Sequence, residues 1–272
     1  MSTVHANRLI EGRQAGGYTL PAEVLDAHAT REVVKALRLP PPATLHPGDA
    51  GSALVDTAAK GEQPDIDAMV AALREVLAAT AAHNTAAQAM AAANQVAADR
   101  LASAVAAQAD VIIVEHLRPA YAKILERAAA AVADLGGRAP VAAQLLDAPA
   151  KVRTAFATLG DLRFRLSAVR QARNDAIAAT GARPTLDAEN LYADFQVPEH
   201  WTGGKAIRMA GFPSPTDPHE YMVWLVTDAA GAQPWLPTLV EQDDAYDAGP
   251  WGQGRRETAA SARSNESVWV SS

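Results

Sequence analysis

The run "EQDDAYD", residues 241–247, brings together Glu241, Asp243, Asp244 and Asp247. Carboxylates this close are the residue types that hold a hard cation such as calcium. Their spacing does not follow an EF-hand loop, so the segment reads as a solvated acidic loop. Two further pairs, Glu199 with His200 and His219 with Glu220, join an imidazole to a carboxylate, the partnership of acid–base catalysis. No nucleophile motif such as G-x-S-x-G accompanies either pair. The seven histidines include no i, i+4 pair of the kind that binds zinc on a helix, and His116 reads as structural. The glycine-rich "WTGGKA", residues 201–206, lacks both the Walker spacing and a Ser or Thr after its lysine. It reads as a tight turn with an aromatic anchor. The absence of cysteine excludes disulfides, thiolate catalysis and thiolate-bound zinc. The expectation is therefore a non-enzymatic chain with no catalytic residues, no cofactor and no metal.

What positions these residues is a chain of 272 amino acids with a formal charge of -7 and a pI near 5.5. A mildly acidic surface disfavours non-specific association with nucleic acid or anionic lipid. The basic group Arg163, Arg165, Arg170 and Arg173 reads as a solvated helix face. The first twenty residues have no apolar core of the Sec signal type. The runs "VIIV" and "YMVWLV" are far shorter than the roughly 20 residues needed to span a bilayer. These features predict a cytoplasmic or virion-associated product without a Sec signal.

Hydrophobic residues make up 49% of the chain, but much of that is alanine, which buries little area. The stretch 83–117 raises the question most sharply. Neither proline nor glycine occurs between Pro64 and Pro119, so residues 65–117 predict one helix of roughly 80 Å. Ile66, Met69, Leu73, Val76, Thr80, Ala87, Met90, Ala97, Leu101 and Ala104 fall at heptad-like steps, with His83 and Asn94 on the same seam. Alanine favours the helix itself and permits close approach of another helix. The expected partner is 150–180, where Val152, Phe156, Leu159, Leu162, Leu166 and Val169 share a face. Pro119 predicts a kink, and Gly136 with Gly137 a helix end.

The flanks differ. Pro21 opens a short helix ending before Pro40, followed by a linker expected to be irregular. All five tryptophans lie after residue 200. There "YMVWLVTD", residues 221–228, reads as a buried strand with Trp224 inside, with weaker strands at 206–212 and 267–272. The predicted fold is mainly α: a long alanine-rich antiparallel hairpin or bundle with a small Trp-rich β or irregular C-terminal module. Its parts are an N-terminal arm (1–63), the hairpin (64–184) and the module (185–272).

Trp201 and Gly203 resemble the Trp-x-Gly turn of small secreted helical-hairpin proteins of actinobacteria, where the motif joins two helices. Here it follows the second long helix. The leading expectation is a structural or assembly protein acting through helix packing, with Trp201, Trp235 and Trp251 as interface anchors. Its partners would be protein, as a homo-oligomer or larger assembly. High alanine, aspartate and arginine usage fits a bacteriophage or prophage virion component of a high-GC host. The alternatives are a secreted or toxin-associated helical protein and an enzyme with its site in the C-terminal module.

Overall fold

The computed structural model describes residues 3–41, 47–63, 65–140, 142–182, 192–197 and 216–249. Among them the chain is mainly α-helical and contains no sheet. It divides into two units: residues 1–25 with 101–272, and residues 26–100.

The larger unit is organised on helix α8 (Ala150–Ala179). Its residues Leu159, Leu162, Leu166 and Val169 are fully buried, at the three-and-four spacing that puts side chains on one helical face. Helix α6 (Arg118–Asp134) runs antiparallel to α8, with Lys151 Nζ on Asp134 Oδ1 at 2.8 Å near the shared end. A further helix, α1 (Thr3–Gly16), lies against α8 and buries Ala6, Leu9 and Ile10. Helix α1 has few apolar residues and is not among the helices expected from the sequence. Within the larger unit the hairpin expected between 65–117 and 150–180 is made largely by 118–134, with 109–117 and α1 also against α8. Tyr121, Ile124 and Val132 supply the large buried side chains of α6.

The long helix is nearly continuous, as the sequence predicts. Helix α4 (Ile66–Ala107) leads through a short α5 (Ala109–Val111) into a π-helical turn at Ile112–Leu117, and then into α6. The Arg118 N–H donates to the Ile113 carbonyl, five residues back. Pro119 has no N–H, and in regular α geometry its ring would strike the carbonyl of residue 115. The widened turn relieves that clash, so the kink expected at Pro119 appears as a π bulge just before it. Gly136 and Gly137 end α6 with φ of +72° and +84°, as a glycine stop should, and the short helix α7 (Ala142–Leu146) follows.

The predicted strand at 221–226 is a helix, α9 (Pro218–Val226). Asp217 caps it by accepting the N–H groups of His219 and Glu220 at 2.9 and 3.0 Å, and Pro218 stands in the first turn. These start signals override the β preference of the valines and tryptophan. Tyr221, Met222, Trp224 and Leu225 are buried, which is one face of a helix; Trp224 is inside, as expected. The strand that supported a boundary near 185 is therefore absent. The extended structure described here is an antiparallel bridge between Phe195 and Pro234. The acidic "loop" is also helical: α10 (Leu239–Ala248) starts with a capping box between Thr238 and Glu241. Residues 206–212 and 267–272 lie outside the described residues.

In the smaller unit, the helix opened by Pro21 is α2 (Ala22–Ala36), shared with the larger unit. The linker expected to be irregular contains helix α3 (Pro47–Ala59), whose "ALVDTAA" has good helix formers after Gly51. Most of α4 up to Arg100 completes this unit. Along α4 the less exposed positions include Met69, Leu73, Val76, Thr80, His83, Met90, Asn94 and Ala97 of the seam read from the sequence, while Ile66 and Ala87 of that seam are exposed.

Candidate functional site

Helix α8 carries a polar row that its neighbours cover. Arg173 is 4% exposed and Asp175 only 1%. Arg170 keeps 14% of its side chain exposed. Of the four arginines that charge patterning reads as a solvated face, Arg165 is exposed, but Arg170 and Arg173 are covered. The pattern shows one helix's polar side but not whether other segments are packed over it. The cost of burying such groups requires that each be satisfied.

Each has partners of a different kind, and among the described residues Arg170 Nε and Nη2 remain buried without a hydrogen bond. Arg170 Nε lies 3.1 Å from Asp194 Oδ1, and its Nη1 donates to the Tyr221 hydroxyl at 2.6 Å. Burial opposes the charge of Arg170, but Asp194 and the hydroxyls of Tyr121 and Tyr221 outweigh it and hold the guanidinium above its ordinary range. Asp175 accepts from His5 Nδ1 at 2.6 Å and from Gln171 Nε2 at 3.1 Å, which fastens α1 to α8. A carboxylate can only accept, so His5 Nδ1 is the donor of this bond.

Arg173 makes a different set of bonds. Its Nε donates to the Pro237 carbonyl at 2.7 Å, its Nη1 to Asn174 Oδ1 at 3.2 Å, and its Nη2 to Gln242 Oε1. All three acceptors are neutral. Among the described residues no carboxylate comes within ion-pair distance of it. Burial, with help from the charge of Arg170, pulls Arg173 down to about 10, against the longer-range pull of Asp194 and Glu241.

Arg118 on α6 makes a matching contact. Its Nε donates to the Leu236 carbonyl at 2.9 Å and its Nη2 to Glu241. Burial would raise the Glu241 carboxyl, but the Thr238 N–H and Arg118 overcome it and hold the group below its usual range. The acidic cluster is thereby partly neutralised by Arg118. Among the described residues no three His, Asp or Glu side chains converge on a common metal position.

Between α1, α8, Asp194 and α10 lies a cavity of about 610 Å³. Arg170, Arg173, Asp175 and His5 form its polar wall, and Ile177 and Leu239 belong to its apolar side. The size falls within the range of small-molecule sites.

The residues picked from the sequence lie elsewhere. His219 stacks on Phe156, with ring centroids 3.7 Å apart and an interplanar angle of 9°, and its Nδ1 lies 3.4 Å from Asp217. His116 Nδ1 bonds Thr19 Oγ1 at 2.7 Å, a structural role. Trp235 is half-buried, and its indole N–H donates to the Tyr192 carbonyl at 2.9 Å. Trp201, Trp251, His200 and the WTGGKA turn lie outside the described residues. The His5–Asp175 pair, 170 positions apart, has no sequence signal beyond two charged residues on otherwise apolar faces. No helix among the described residues is long and apolar enough to cross a membrane.

Comparison with protein-family models, with curated proteins and with solved structures finds no match to this chain.

Proposed function

We propose that the chain is a non-enzymatic structural or assembly protein that works by packing helices against a protein partner, a second copy of itself or a larger assembly. One observation carries this reading. Among the described residues of 26–100, only Ala27 and Ala97 are buried, while Val33, Leu37, Val55, Ile66, Leu77 and Val96 are each more than half exposed. A unit of this kind holds its helices by alanine propensity and has almost no core to offset the ordering of its chain. Six aliphatic side chains, at roughly 1.5–3 kcal/mol each when fully buried, hold on the order of 10 kcal/mol for an interface. The less exposed seam of α4 carries Asn94, the residue type that fixes register in helix packing at some cost in stability, and Leu77 and Val96 lie outside that seam.

Within this class the reading extends to a bacteriophage or prophage virion component of a high-GC host, supported by composition alone. Trp201, Trp251 and the half-buried Trp235 are its aromatic anchors.

Sedimentation velocity over a wide concentration range tests the reading. Self-association is expected, weakened at least about tenfold by Leu77→Glu or Val96→Glu. Both side chains are exposed, at 69% and 68%, so neither change should unfold the monomer. A chain that stays monomeric while its α4 amides resist hydrogen exchange would overturn the reading, because the unit would then be stable without a partner.

A further inference from the structure

The wall of the cavity is unequal in charge. Asp194 is matched by Arg170 at 3.1 Å and Asp175 by Arg8 at 3.9 Å, with His5 Nδ1 on the same Asp175 oxygen at 2.6 Å. Arg173 faces the same space with only neutral acceptors. A guanidinium has five N–H groups, and three of those on Arg173 are engaged, which leaves one on Nη1 and one on Nη2. Two N–H groups on adjacent nitrogens match the two oxygens of a carboxylate. Beside them the cavity has an apolar surface formed by Ile177, Ala178 and Leu239.

We propose that this cavity binds a small organic acid, with its carboxylate on the spare N–H groups of Arg173 and its apolar body against Ile177, Ala178 and Leu239. The ligand's single negative charge balances Arg173, which among the described residues has no carboxylate within ion-pair distance. A doubly charged inorganic oxyanion would overcompensate that charge and leave the apolar side unfilled. The downward pull on the Arg173 titration points the same way, since a buried cation without an anion is disfavoured. The inference does not depend on the assembly reading, and its test does not involve oligomeric state.

The probes are hexanoate, its neutral amide hexanamide, and inorganic phosphate, each titrated into the full chain with isoleucine and leucine methyl groups observed by NMR. Hexanoate is expected to shift the methyl signals of Ile177 and Leu239 saturably, and at least about tenfold more tightly than hexanamide or phosphate. Ala178→Phe, which fills the cavity from its wall, should abolish the shifts while leaving the helical circular dichroism unchanged. Arg173→Met should reduce hexanoate affinity to that of the amide. If Arg173→Met does not fold, the contrast between hexanoate and hexanamide in the unaltered chain decides the role of the charge. Equal binding of the amide overturns the carboxylate assignment, and preferential binding of phosphate overturns the organic-acid class. Absence of saturable shifts, or shifts unchanged in Ala178→Phe, overturns the site.

Discussion

Arg118 and Arg173 stand on different, antiparallel helices and bind consecutive carbonyls, Leu236 and Pro237. Each also reaches a consecutive side chain of α10, Glu241 for Arg118 and Gln242 for Arg173. The segment entering α10 is held at two adjacent points by two separate helices. The two arginines differ in burial, and so should their replacements. Arg173→Met removes the donor to buried acceptors and should cost about 2–4 kcal/mol. Arg118→Met acts at a site one-third exposed and should cost about 1 kcal/mol or less. Urea unfolding of the two variants checks the order.

Glu241 gives the clamp an acid limit. Its folded-state pKa lies below the ordinary 4.5, so the folded chain binds fewer protons there than the unfolded chain. The stability this supplies is present above the unfolded value and is lost as pH falls through the folded one. Glu241→Gln should lower stability at neutral pH and flatten the decline below about pH 4.5. A decline of unchanged slope in the variant would assign acid sensitivity to other carboxylates.

Tyr121 sets an alkaline counterpart. Burial pushes its hydroxyl up to about 12, with the charge of Arg170 opposing. A raised pKa contributes stability that is complete below the unfolded value near 10 and lost as pH rises toward 12. Tyr121→Phe should therefore shrink the loss of stability in that window. Ultraviolet titration should also find Tyr121 still protonated when an exposed tyrosine has ionised.

Gly16 and Tyr18 are in close contact at the end of α1. A Cβ on Gly16 would fall 2.5 Å from two carbons of the Tyr18 ring, which is anchored by its hydroxyl on the Leu9 carbonyl at 2.6 Å. Gly16→Ala should destabilise the chain by about 1–3 kcal/mol through overpacking. Tyr18→Ala combined with Gly16→Ala should remove that steric penalty in a double-mutant cycle.

Much of the helical framework was legible because it rests on local signals. Pro21, the uninterrupted run after Pro64, the glycines at 136 and 137, and the spacing from Leu159 to Val169 each act within a few residues. The errors came where local signals competed or partners were remote. Valine, tryptophan and leucine at 223–225 suggest a strand, yet Asp217 and Pro218 start a helix and the burial follows its face. Arg170 and Arg173 look solvated because a single helix does not reveal that other segments cover its polar side. The cavity was illegible for the same reason: His5, Arg173, Asp194 and Leu239 come from four separated segments.

The π turn has a consequence for how this chain tolerates changes in length. Up to its first residue, the buried residues Leu101, Val105, Ala109 and Ile112 step by four, four and three. From its second residue on, Ile113, Leu117, Tyr121 and Ile124 repeat the same steps, one residue late. The helix thus behaves like a text with one letter inserted and one wide space that absorbs it, so both halves keep the same face. Deleting the half-exposed Val114 would join the two series in one regular repeat and keep the downstream face, at the cost of about 3 kcal/mol for the Pro119 ring against the preceding turn. A single-residue deletion at the exposed Ser103, within regular helix, should instead turn everything downstream by about 100° and act as a frameshift does on a message, and thermal unfolding of the two deletions checks the order.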